Sequence, residues 1–314
     1  MSPAPVELGL VGCGRLAELG YLPALALVPQ VRLVAVADPD PDRRAAVAAA
    51  GEGVATFPDA AALLAGATVD GLVVATPAAA HVDVAEAAAS AGVLALVEKP
   101  PAPDAAGAAR LATLAPAPVV GFNRRFDPGA AAVRAAVPGR GDVDLRATIA
   151  YRRRGWAAHT VADDALADLG PHLVDWARWI TGSEVVAVAC PELRPQRAML
   201  ELTLGRGRAR LRAATDRPHR ELVELGVGGR LVARHRLGGP VAAVRGVVGR
   251  TGPTALVATL ARQLEAFAAA CRGGAPPRAP LGTAGDGHAA MLVLGAARAS
   301  AAAGGRPTPV TGAC

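Results

Sequence analysis

The first third of the chain alternates short, solidly apolar runs with longer Ala-rich stretches that have one apolar face. The apolar runs predict buried strands, and the stretches between them predict helices. Strands that alternate with helices are typical of a parallel, doubly wound sheet, in which helices cover both faces of the strands. The predicted strands are 6–11, 31–37, 71–75, 92–97 and 118–121, and the predicted helices are 16–27, 43–50, 59–65, 81–90 and 104–114.

After Phe122 the pattern changes to longer strands in which apolar and polar residues alternate. The predicted strands are 142–152, 184–189, 197–204, 208–213, 220–227 and 229–235, with helices at 171–181, 253–271 and 286–303. Runs of strands with a few separate helices indicate an α+β domain with a mostly antiparallel, open sheet. We therefore predict an α/β domain at residues 1–121 and an α+β domain at residues 122–314.

Four arginines alternate with small or apolar residues near one of these strands. They are Arg206, Arg208, Arg210 and Arg212. Alternate residues of a strand share a face, so the pattern predicts a row of cations on one face of the sheet. Three interpretations stay open: a solvated outer face, a subunit interface with acids opposite, and a patch for an anionic substrate.

Composition and charge exclude several classes of protein. The net charge of +6 is spread along a chain with 3% aromatic residues, so we expect no nucleic-acid partner. No uncharged apolar run reaches the ~18 residues needed to cross a bilayer, and the N-terminal residues lack a basic segment and a cleavage site. We therefore expect neither a membrane segment nor a signal peptide. The 4 scattered cysteines, without metal-ligand spacing, predict a reducing cytoplasm and no metal site.

A glycine-rich loop, G-C-G-R-L-A at residues 12–17, joins the first predicted strand to the first predicted helix. In this position, with an acid at the end of the next strand, the motif predicts a dinucleotide site. Gly12 permits the sharp turn, Gly14 leaves room for a pyrophosphate, and Asp38 can accept hydrogen bonds from a ribose diol. The predicted contacts here are Gly12, Cys13, Gly14, Arg15, Leu16 and Asp38.

The same acid bears on the choice of cofactor. A carboxylate at Asp38 accepts from a 2′-hydroxyl and repels a 2′-phosphate, which favours NAD over NADP. Arg43 and Arg44 follow shortly afterwards and could reach a phosphate. We therefore predict NAD, with NADP as the alternative.

Lys99 is the one lysine among 33 basic residues. A lysine supplies a compact ammonium whose pKa is tunable, which an arginine does not replace. Lys99 lies just beyond a short apolar strand, and open α/β sheets bind ligands outside the carboxyl ends of their strands. The position predicts a functional lysine, and the alternative is a solvated surface residue.

A second polar group lies at residues 168–175. Pro171 suits the first position of a helix, so a helix is predicted to begin there, with Asp168 in the preceding turn. His172 and Asp175 share a face of that helix. A histidine with carboxylates on both sides indicates an oriented acid or base, and a structural histidine is the alternative.

Five motifs occur in an order that resembles the Gfo/Idh/MocA oxidoreductase family, typified by glucose–fructose oxidoreductase and inositol dehydrogenase. They are G-C-G-R-L-A at 12–17, Ala75-Thr76-Pro77 with His81, Glu98-Lys99-Pro100, G-F-N-R-R-F-D-P at 121–128, and D-x-G-P-H-x-x-D at 168–175. The resemblance covers nearly the whole chain, and the segment from Asp286 resembles the closing helix of the family. Two departures concern the substrate side: the chain is shorter than many members, and residues 156–167 do not align.

The resemblance implies an N-terminal Rossmann domain and an NAD(P)-dependent oxidoreductase. Its substrate would be a secondary alcohol or ketone of a sugar, cyclitol or related polyol. The implied catalytic set is Lys99, Asp168 and His172, and the implied contacts of the nicotinamide half are Thr76, Pro77, His81, Glu98 and Lys99. Candidates for contact with the substrate are Arg124, Arg125, Tyr151, Trp156, His159, Asp168 and His172.

In this chemistry His172 would take the hydroxyl proton while hydride leaves the same carbon. Lys99 would hold the oxygen and stabilise the developing alkoxide. Asp168 would orient Lys99 or a neighbouring hydroxyl.

The family often pairs subunits through the sheet of the second domain, which implies a homo-oligomer, a dimer or a tetramer. Three alternative functions stay open: redox-neutral cleavage of a glycoside, reduction of an imine or other C=N bond, and a non-catalytic dinucleotide sensor. A sensor can lose Lys99 and His172, and the presence of both favours an enzyme.

Overall fold

The structure, a computed structural model, describes residues 4–153, 164–238, 254–273 and 281–312. The chain divides into two compact units, Met1–Phe126 with Pro253–His288 and Asp127–Gly252 with Ala289–Cys314. The predicted boundary after residue 121 treats each domain as one continuous segment. The units differ from that prediction because a late segment returns to the first unit.

The first unit is built on a seven-stranded sheet in the order β13-β6-β5-β4-β1-β2-β3. Its strands are β1 (Val6–Val11), β2 (Val31–Ala37), β3 (Ala55–Phe57), β4 (Gly71–Val74), β5 (Leu94–Val97), β6 (Val119–Val120) and β13 (Gly282–Thr283). All neighbouring pairs are parallel except β13 with β6, which confirms the predicted Rossmann-type sheet. The carboxyl ends of the neighbours β1, β4 and β5 therefore lie along one edge.

The helices of this unit begin close to where the sequence predicts them. They are α1 (Leu22–Leu25), entered through a π-helical turn at Ala17–Tyr21, then α2 (Pro41–Ala48), α3 (Ala60–Gly66), α4 (His81–Ser90), α5 (Ala105–Ala112) and the late α8 (Ala255–Cys271). Asp40, Asp59 and Asp104 cap α2, α3 and α5 by accepting backbone N–H groups of the first turn. Strand β3 was not predicted, because three residues are too short to show a period.

The helix α8 shows why the compact units differ from the predicted domains. Its side chains Val257, Leu260, Leu264 and Phe267 are buried in the aliphatic core of the first unit. The prediction had placed this helix in the second domain because it follows that domain in the chain. The burial of apolar surface decides its position, and position along the sequence does not.

The second unit contains a seven-stranded sheet in the order β12-β11-β7-β10-β9-β8-β14. Its strands are β7 (Val143–Arg152), β8 (Val185–Arg194), β9 (Arg197–Leu204), β10 (Gly207–Ala214), β11 (Asp216–Val227), β12 (Arg230–Gly238) and β14 (Thr308–Pro309). Strands β7 and β10 are parallel and the other pairs are antiparallel, which confirms the predicted open sheet. The helices are α6 (Pro128–Ala135), α7 (Ala165–Thr181) and α9 (Ala284–Ala302), the last shared with the first unit.

Strand β10 has one buried and one exposed face. Ala209 and Leu211 are buried, whereas Arg208, Arg210 and Arg212 are exposed. Helix α7 packs against the sheet at β7 and β10. The predicted row of cations therefore lies on the outer face of the sheet.

The row is shorter than predicted and is partly neutralised within the chain. Arg206 precedes β10 and donates to the carbonyls of Pro138 and Gly141 instead of joining the row. The other pairings follow the strand register. Arg208 lies 2.9 Å from a carboxylate oxygen of Asp144 on β7, and Arg210 lies 2.8 Å from Glu201 on β9.

Helix α7 begins earlier than the sequence predicts. Its N-cap is Asp164, whose side chain accepts from the backbone N–H of Ala167 at 2.8 Å, so Pro171 lies inside the helix. A proline inside a helix removes one backbone hydrogen bond, and burial of the flanking side chains Leu169 and Leu173 offsets that loss. The prediction that Pro171 opens the helix is wrong, because the capping residue and the packing outweigh the local preference of proline.

Two further observations concern the length of the helices and the state of the cysteines. Within the described ranges, no helix combines the length and apolar character that a membrane crossing requires. The cysteines in those ranges, Cys13, Cys190 and Cys271, are free thiols.

Candidate active site

The glycine-rich loop after β1 uses its two glycines in different ways. Gly12 has φ of +96°, and a Cβ there would lie 2.6 Å from the carbonyl oxygen of Ala75. Only glycine fits this approach between the loop and the end of β4. A Cβ at Gly14 would meet no protein atom within 4 Å, so packing within the protein does not require that glycine. The open space beside Gly14 fits a phosphate group that must approach the backbone closely.

Asp38 ties the loop to the end of β2. Its carboxylate accepts from the backbone N–H of Cys13 at 2.8 Å and from that of Asp40 at 2.9 Å, and the residue is 7% exposed. Burial, with the nearby charge of Asp38, raises the pKa of the Cys13 thiol to about 12. Cys13 therefore fills space as a neutral thiol, and the loop has a fixed acceptor where a ribose would lie.

Arg43 and Arg44, the argument for NADP, already have partners at the same turn. Arg44 donates to the carbonyls of Asp38 and Pro39 at 2.9 and 3.3 Å. Arg43 lies 3.3 Å from a carboxylate oxygen of Asp40. Both arginines therefore interact with the residues of this turn, where the carboxylate of Asp38 favours a ribose 2′-hydroxyl over a 2′-phosphate.

Glu98 and Lys99 form a turn directly after β5. Glu98 is 6% exposed and accepts from the Tyr21 hydroxyl at 2.6 Å and from the Lys99 backbone N–H at 3.1 Å. Burial raises the pKa of Glu98, although the hydrogen bond from Tyr21 opposes the shift. Burial and the adjoining carboxylate likewise raise the pKa of Tyr21, so the phenol stays a neutral donor.

His81, at the start of α4, connects the end of β4 to the same turn. Its ring nitrogens lie 2.8 Å from the carbonyl oxygen of Thr76 and 2.9 Å from that of Pro100. Burial lowers the pKa of His81, and a neutral ring donates to only one carbonyl at a time. The contact of His81 with the nicotinamide stays a prediction, since both nitrogens face protein atoms.

Thr76 is better placed to serve a ligand. It follows β4, and its buried hydroxyl has no hydrogen-bond partner among the described residues. Pro77, the next residue, is exposed. A buried hydroxyl without a protein partner fits the hydrogen-bonding edge of a cofactor.

The two arginines after β6 differ in their surroundings. Arg125 is 4% exposed, lies 3.0 Å from a carboxylate oxygen of Asp286, and stacks over the ring of Phe122. Its guanidinium is used inside the first unit, so the geometry does not support the predicted substrate contact. Arg124 is partly exposed, and its substrate role stays a prediction. The sequence could not show which of these two neighbouring arginines is buried.

In the second unit, Asp168 contacts one side chain near the end of β7 and one just beyond that strand. Its Oδ2 accepts from the Tyr151 hydroxyl and lies 3.0 Å from the Arg153 guanidinium. Burial, followed by the Asp168 charge and its hydrogen bond, raises the pKa of Tyr151 to about 12. Sequence reasoning missed Arg153, although Tyr151 and Arg153 alternate along the chain and so point to one side.

Helix α7 presents Asp168, His172 and Asp175 in successive turns. Residues three or four apart on a helix share a face, and the early start of α7 puts Asp168 in the helix itself. His172 and Asp175 are 4% and 1% exposed. Two other substrate candidates, Trp156 and His159, lie outside the described residues. Of the predicted catalytic set, Lys99 belongs to the first unit, and Asp168 and His172 to the second.

Comparisons with known proteins agree with this architecture. Residues 6–118 match the model of a family described as an oxidoreductase family with an NAD-binding Rossmann fold. An inositol 2-dehydrogenase of Saccharopolyspora erythraea is 31% identical over 187 residues, which cover 58% of this chain and 55% of the relative. The chain spans about half the length of the curated relatives it matches.

Solved structures resemble the chain over almost its full length. A protein of Sinorhizobium meliloti 1021, solved as a candidate myo-inositol dehydrogenase, is 25% identical with a TM-score of 0.78 and covers 98% of this chain and 100% of its own. A myo-inositol dehydrogenase of Lactobacillus casei, solved with NAD(H) and myo-inositol, is 19% identical with a TM-score of 0.78 and covers 99% and 98%. At that identity the second likeness concerns the fold alone.

Proposed function

Because the chain belongs to the Gfo/Idh/MocA oxidoreductase family, we propose that it is an NAD-dependent dehydrogenase acting on a secondary hydroxyl of a cyclitol, sugar or related polyol. One observation carries this proposal. Three neighbouring strands, β1, β4 and β5, end in the open glycine loop, in Thr76 and in Lys99. A phosphate cradle, a hydroxyl without a protein partner and the chain's one lysine thus follow adjacent strands, where such sheets bind ligands.

The residues of the first unit fit NAD. The loop from Gly12 to Leu16 would hold the pyrophosphate, Asp38 the adenosine ribose, and Thr76 the nicotinamide half. When bound, NAD would supply the hydride acceptor for oxidation of the substrate carbon. The partners of Arg43 and Arg44 add to the preference for NAD over NADP.

The proposed catalytic roles divide charge and proton between three side chains. Lys99 donates a charged hydrogen bond to the substrate oxygen and stabilises the negative charge that develops there. His172 accepts the hydroxyl proton at a ring nitrogen. Asp168 orients a substrate hydroxyl, and Arg153 supplies the positive charge that keeps this carboxylate in place.

A substrate screen tests the activity. Purified protein would be mixed with NAD and a panel of inositols, aldoses and polyols, and absorbance of the reduced cofactor would be followed. Oxidation of at least one cyclitol or sugar is expected, with a much lower rate from a Lys99→Ala control under the same conditions. If every polyol gave no rate while NAD binding was intact, the dehydrogenase proposal would be overturned in favour of a dinucleotide sensor.

Titration of both reduced cofactors by fluorescence tests the cofactor choice. NADH is expected to bind more tightly than NADPH, and Asp38→Ala should reduce that preference because it removes both the ribose acceptor and the repulsion of a 2′-phosphate. Tighter binding of NADPH to the wild-type protein would reverse the assignment.

We also propose that the protein is a cytoplasmic homo-oligomer that pairs through the outer face of the second sheet. Support for the pairing comes from the exposed side chains of Arg208, Arg210 and Arg212. Support for the cytoplasm comes from the free thiols of the described cysteines. Arg208→Glu with Arg210→Glu places like charges beside Asp144 and Glu201, which should weaken pairing. Sedimentation would compare this variant with the wild type, and a monomeric wild type would exclude the oligomer.

A further inference from the structure

Two hydrogen bonds to the Glu98 carboxylate come from residues that lie far apart in the sequence, and the charges of Lys99 and Arg124 also act on this group. Tyr21 donates its hydroxyl to Oε1 at 2.6 Å, and Lys99 donates its backbone N–H to Oε2 at 3.1 Å. Tyr21 is 1% exposed and Glu98 is 6% exposed. The phenol therefore reaches the Lys99 backbone through a single carboxyl group.

The walls around this carboxyl group leave it little freedom. A Cβ at Gly121, at the end of β6, would lie 2.9 Å from the carboxyl carbon of Glu98, so the chain backbone closes that side. On the other side, Tyr21 ends the π-helical turn that begins at Ala17. Turns of this kind are rare and occur frequently at functional sites.

The far end of the Lys99 turn has its own anchor. His81 contacts the carbonyl oxygens of Thr76 and Pro100, the residue that follows Lys99. Lys99 thus lies between an anchor at Pro100 and an anchor at Glu98. The second of these depends on one phenol hydroxyl.

We propose that Tyr21 is a positioning residue for Lys99, acting through the Glu98 carboxylate; this inference rests on the dehydrogenase function proposed above. A carboxylate and a phenol are costly to bury, and an apolar pair of the same size would pack equally well or better. Stability alone therefore does not explain the pair. Its contact with the backbone of the chain's one lysine does, because a charged donor acts on a transition state only when it is held in place.

The first experiment replaces Tyr21 with phenylalanine, which keeps the ring and removes the hydroxyl. Tyr21→Phe is expected to lower kcat about tenfold or more, the lower range for loss of transition-state positioning, while KM and the affinity for NAD stay within about twofold. The matched control is Ser300→Ala, which removes another buried hydroxyl, the one that binds Cys190 N and Arg306 O in the second unit. The control should lose stability without losing kcat. A wild-type kcat in Tyr21→Phe would overturn the proposal.

A second variant separates position from stability. Tyr21→Phe with Glu98→Leu replaces both partners by apolar side chains, so no buried carboxylate is left without its donor and the protein should fold. The proposal expects this double variant to have a nearly wild-type Tm and the low kcat of Tyr21→Phe. A stable double variant with wild-type kcat would show that the pair is merely structural.

A double-mutant cycle with Lys99 distinguishes failure of this inference from failure of the proposed function. Lys99→Ala should be slow, and Tyr21→Phe should slow it no further, because the side chain to be positioned is gone. If Tyr21→Phe lowered the rate of Lys99→Ala by its full factor, Tyr21 would act independently and the inference would be wrong. If Lys99→Ala itself were silent, the proposed function would fail instead.

Discussion

Two regions of the molecule each bury a carboxylate against a tyrosine. In the first unit Glu98 accepts from Tyr21, and in the second unit Asp168 accepts from Tyr151. Both tyrosines have raised pKa values and stay neutral donors. The two sites differ in the group that contacts the carboxylate beside the tyrosine.

Beside the tyrosine, Glu98 contacts the backbone N–H of Lys99, and Asp168 contacts the guanidinium of Arg153. Burial dominates at Glu98 and raises its pKa, although the hydrogen bond from Tyr21 and the charges of Lys99 and Arg124 oppose the shift. Arg153 instead gives Asp168 a permanent positive neighbour. The comparison teaches that burial dominates the environment of the Glu98 carboxylate, whereas Asp168 makes an ion pair with Arg153. Substitutions that remove charge or shape should therefore affect the two sites differently.

The largest effects are expected at the residues that the two carboxylates adjoin. Lys99→Arg keeps the charge beside Glu98 but replaces a compact donor by a wide planar fork, and should lower kcat by about 10²-fold or more. His172→Ala, one turn beyond Asp168, should cost a similar factor. Steady-state kinetics would measure both, with NAD affinity as the control for folding. A wild-type rate in Lys99→Arg would leave the lysine without a catalytic role.

The Asp168 site should be sensitive to the loss of its cation, Arg153. Arg153→Met removes the ion pair of Asp168 and leaves its hydrogen bond from Tyr151. We expect kcat to fall about tenfold, since a hydrogen bond to a charged group contributes about 1.5–3 kcal/mol. Arg153→Lys retains the charge and should recover part of the rate. Equal rates in the two variants would show that the positive charge of Arg153 is irrelevant.

The Glu98 site should tolerate the loss of its carboxylate charge, because burial already disfavours that charge. Glu98→Gln can still accept from the Lys99 N–H and can donate its amide to the Tyr21 oxygen. We expect kcat to stay within about threefold of wild type, because both contacts survive. The test compares kcat of Glu98→Gln with kcat of Asp168→Asn. The second variant should lose more, since an asparagine cannot neutralise Arg153. A Glu98→Gln loss as large as that of Asp168→Asn would contradict the distinction.

The smallest effect is expected where a carboxylate is paired with a cation that titrates. His235 lies 2.8 Å from the Asp127 carboxylate that caps α6, and its interaction with this carboxylate raises the pKa of His235 above its ordinary value of 6.5. The nearby Glu221 adds to the shift. Because the folded state favours the charged ring, the stabilisation is complete below pH 6.5 and is lost as pH rises through the raised pKa.

Thermal unfolding between pH 6 and 8 measures this loss. The wild type should lose about 1 kcal/mol of stability over the window, or about 2 °C in Tm, relative to His235→Gln. The reference variant removes the titrating ring and leaves the other groups in place. Parallel Tm curves for the two proteins would show that the pair does not contribute.

The sequence alone determined the parts of the fold that depend on local periodicity. Apolar runs between amphipathic stretches predicted the parallel sheet, and the glycine loop with Asp38 predicted the phosphate and ribose positions. Lys99 could be placed at the ligand-binding edge because every strand of such a sheet ends on the same side. The predicted sheet is confirmed, and the phosphate, ribose and Lys99 sites stay predictions. Each depends on neighbours within a few residues or on a rule common to all parallel sheets.

Only the tertiary structure decided which side chains meet. Tyr21 and Glu98 are 77 residues apart, and no period or motif links them. Helix α8 joins the first unit against chain order, and Pro171 lies inside a helix that local preference would start there. In each case burial of apolar surface and satisfaction of buried polar groups select the contact. Both are properties of the packed chain, so residues that are distant in sequence decide how each of these sites is held.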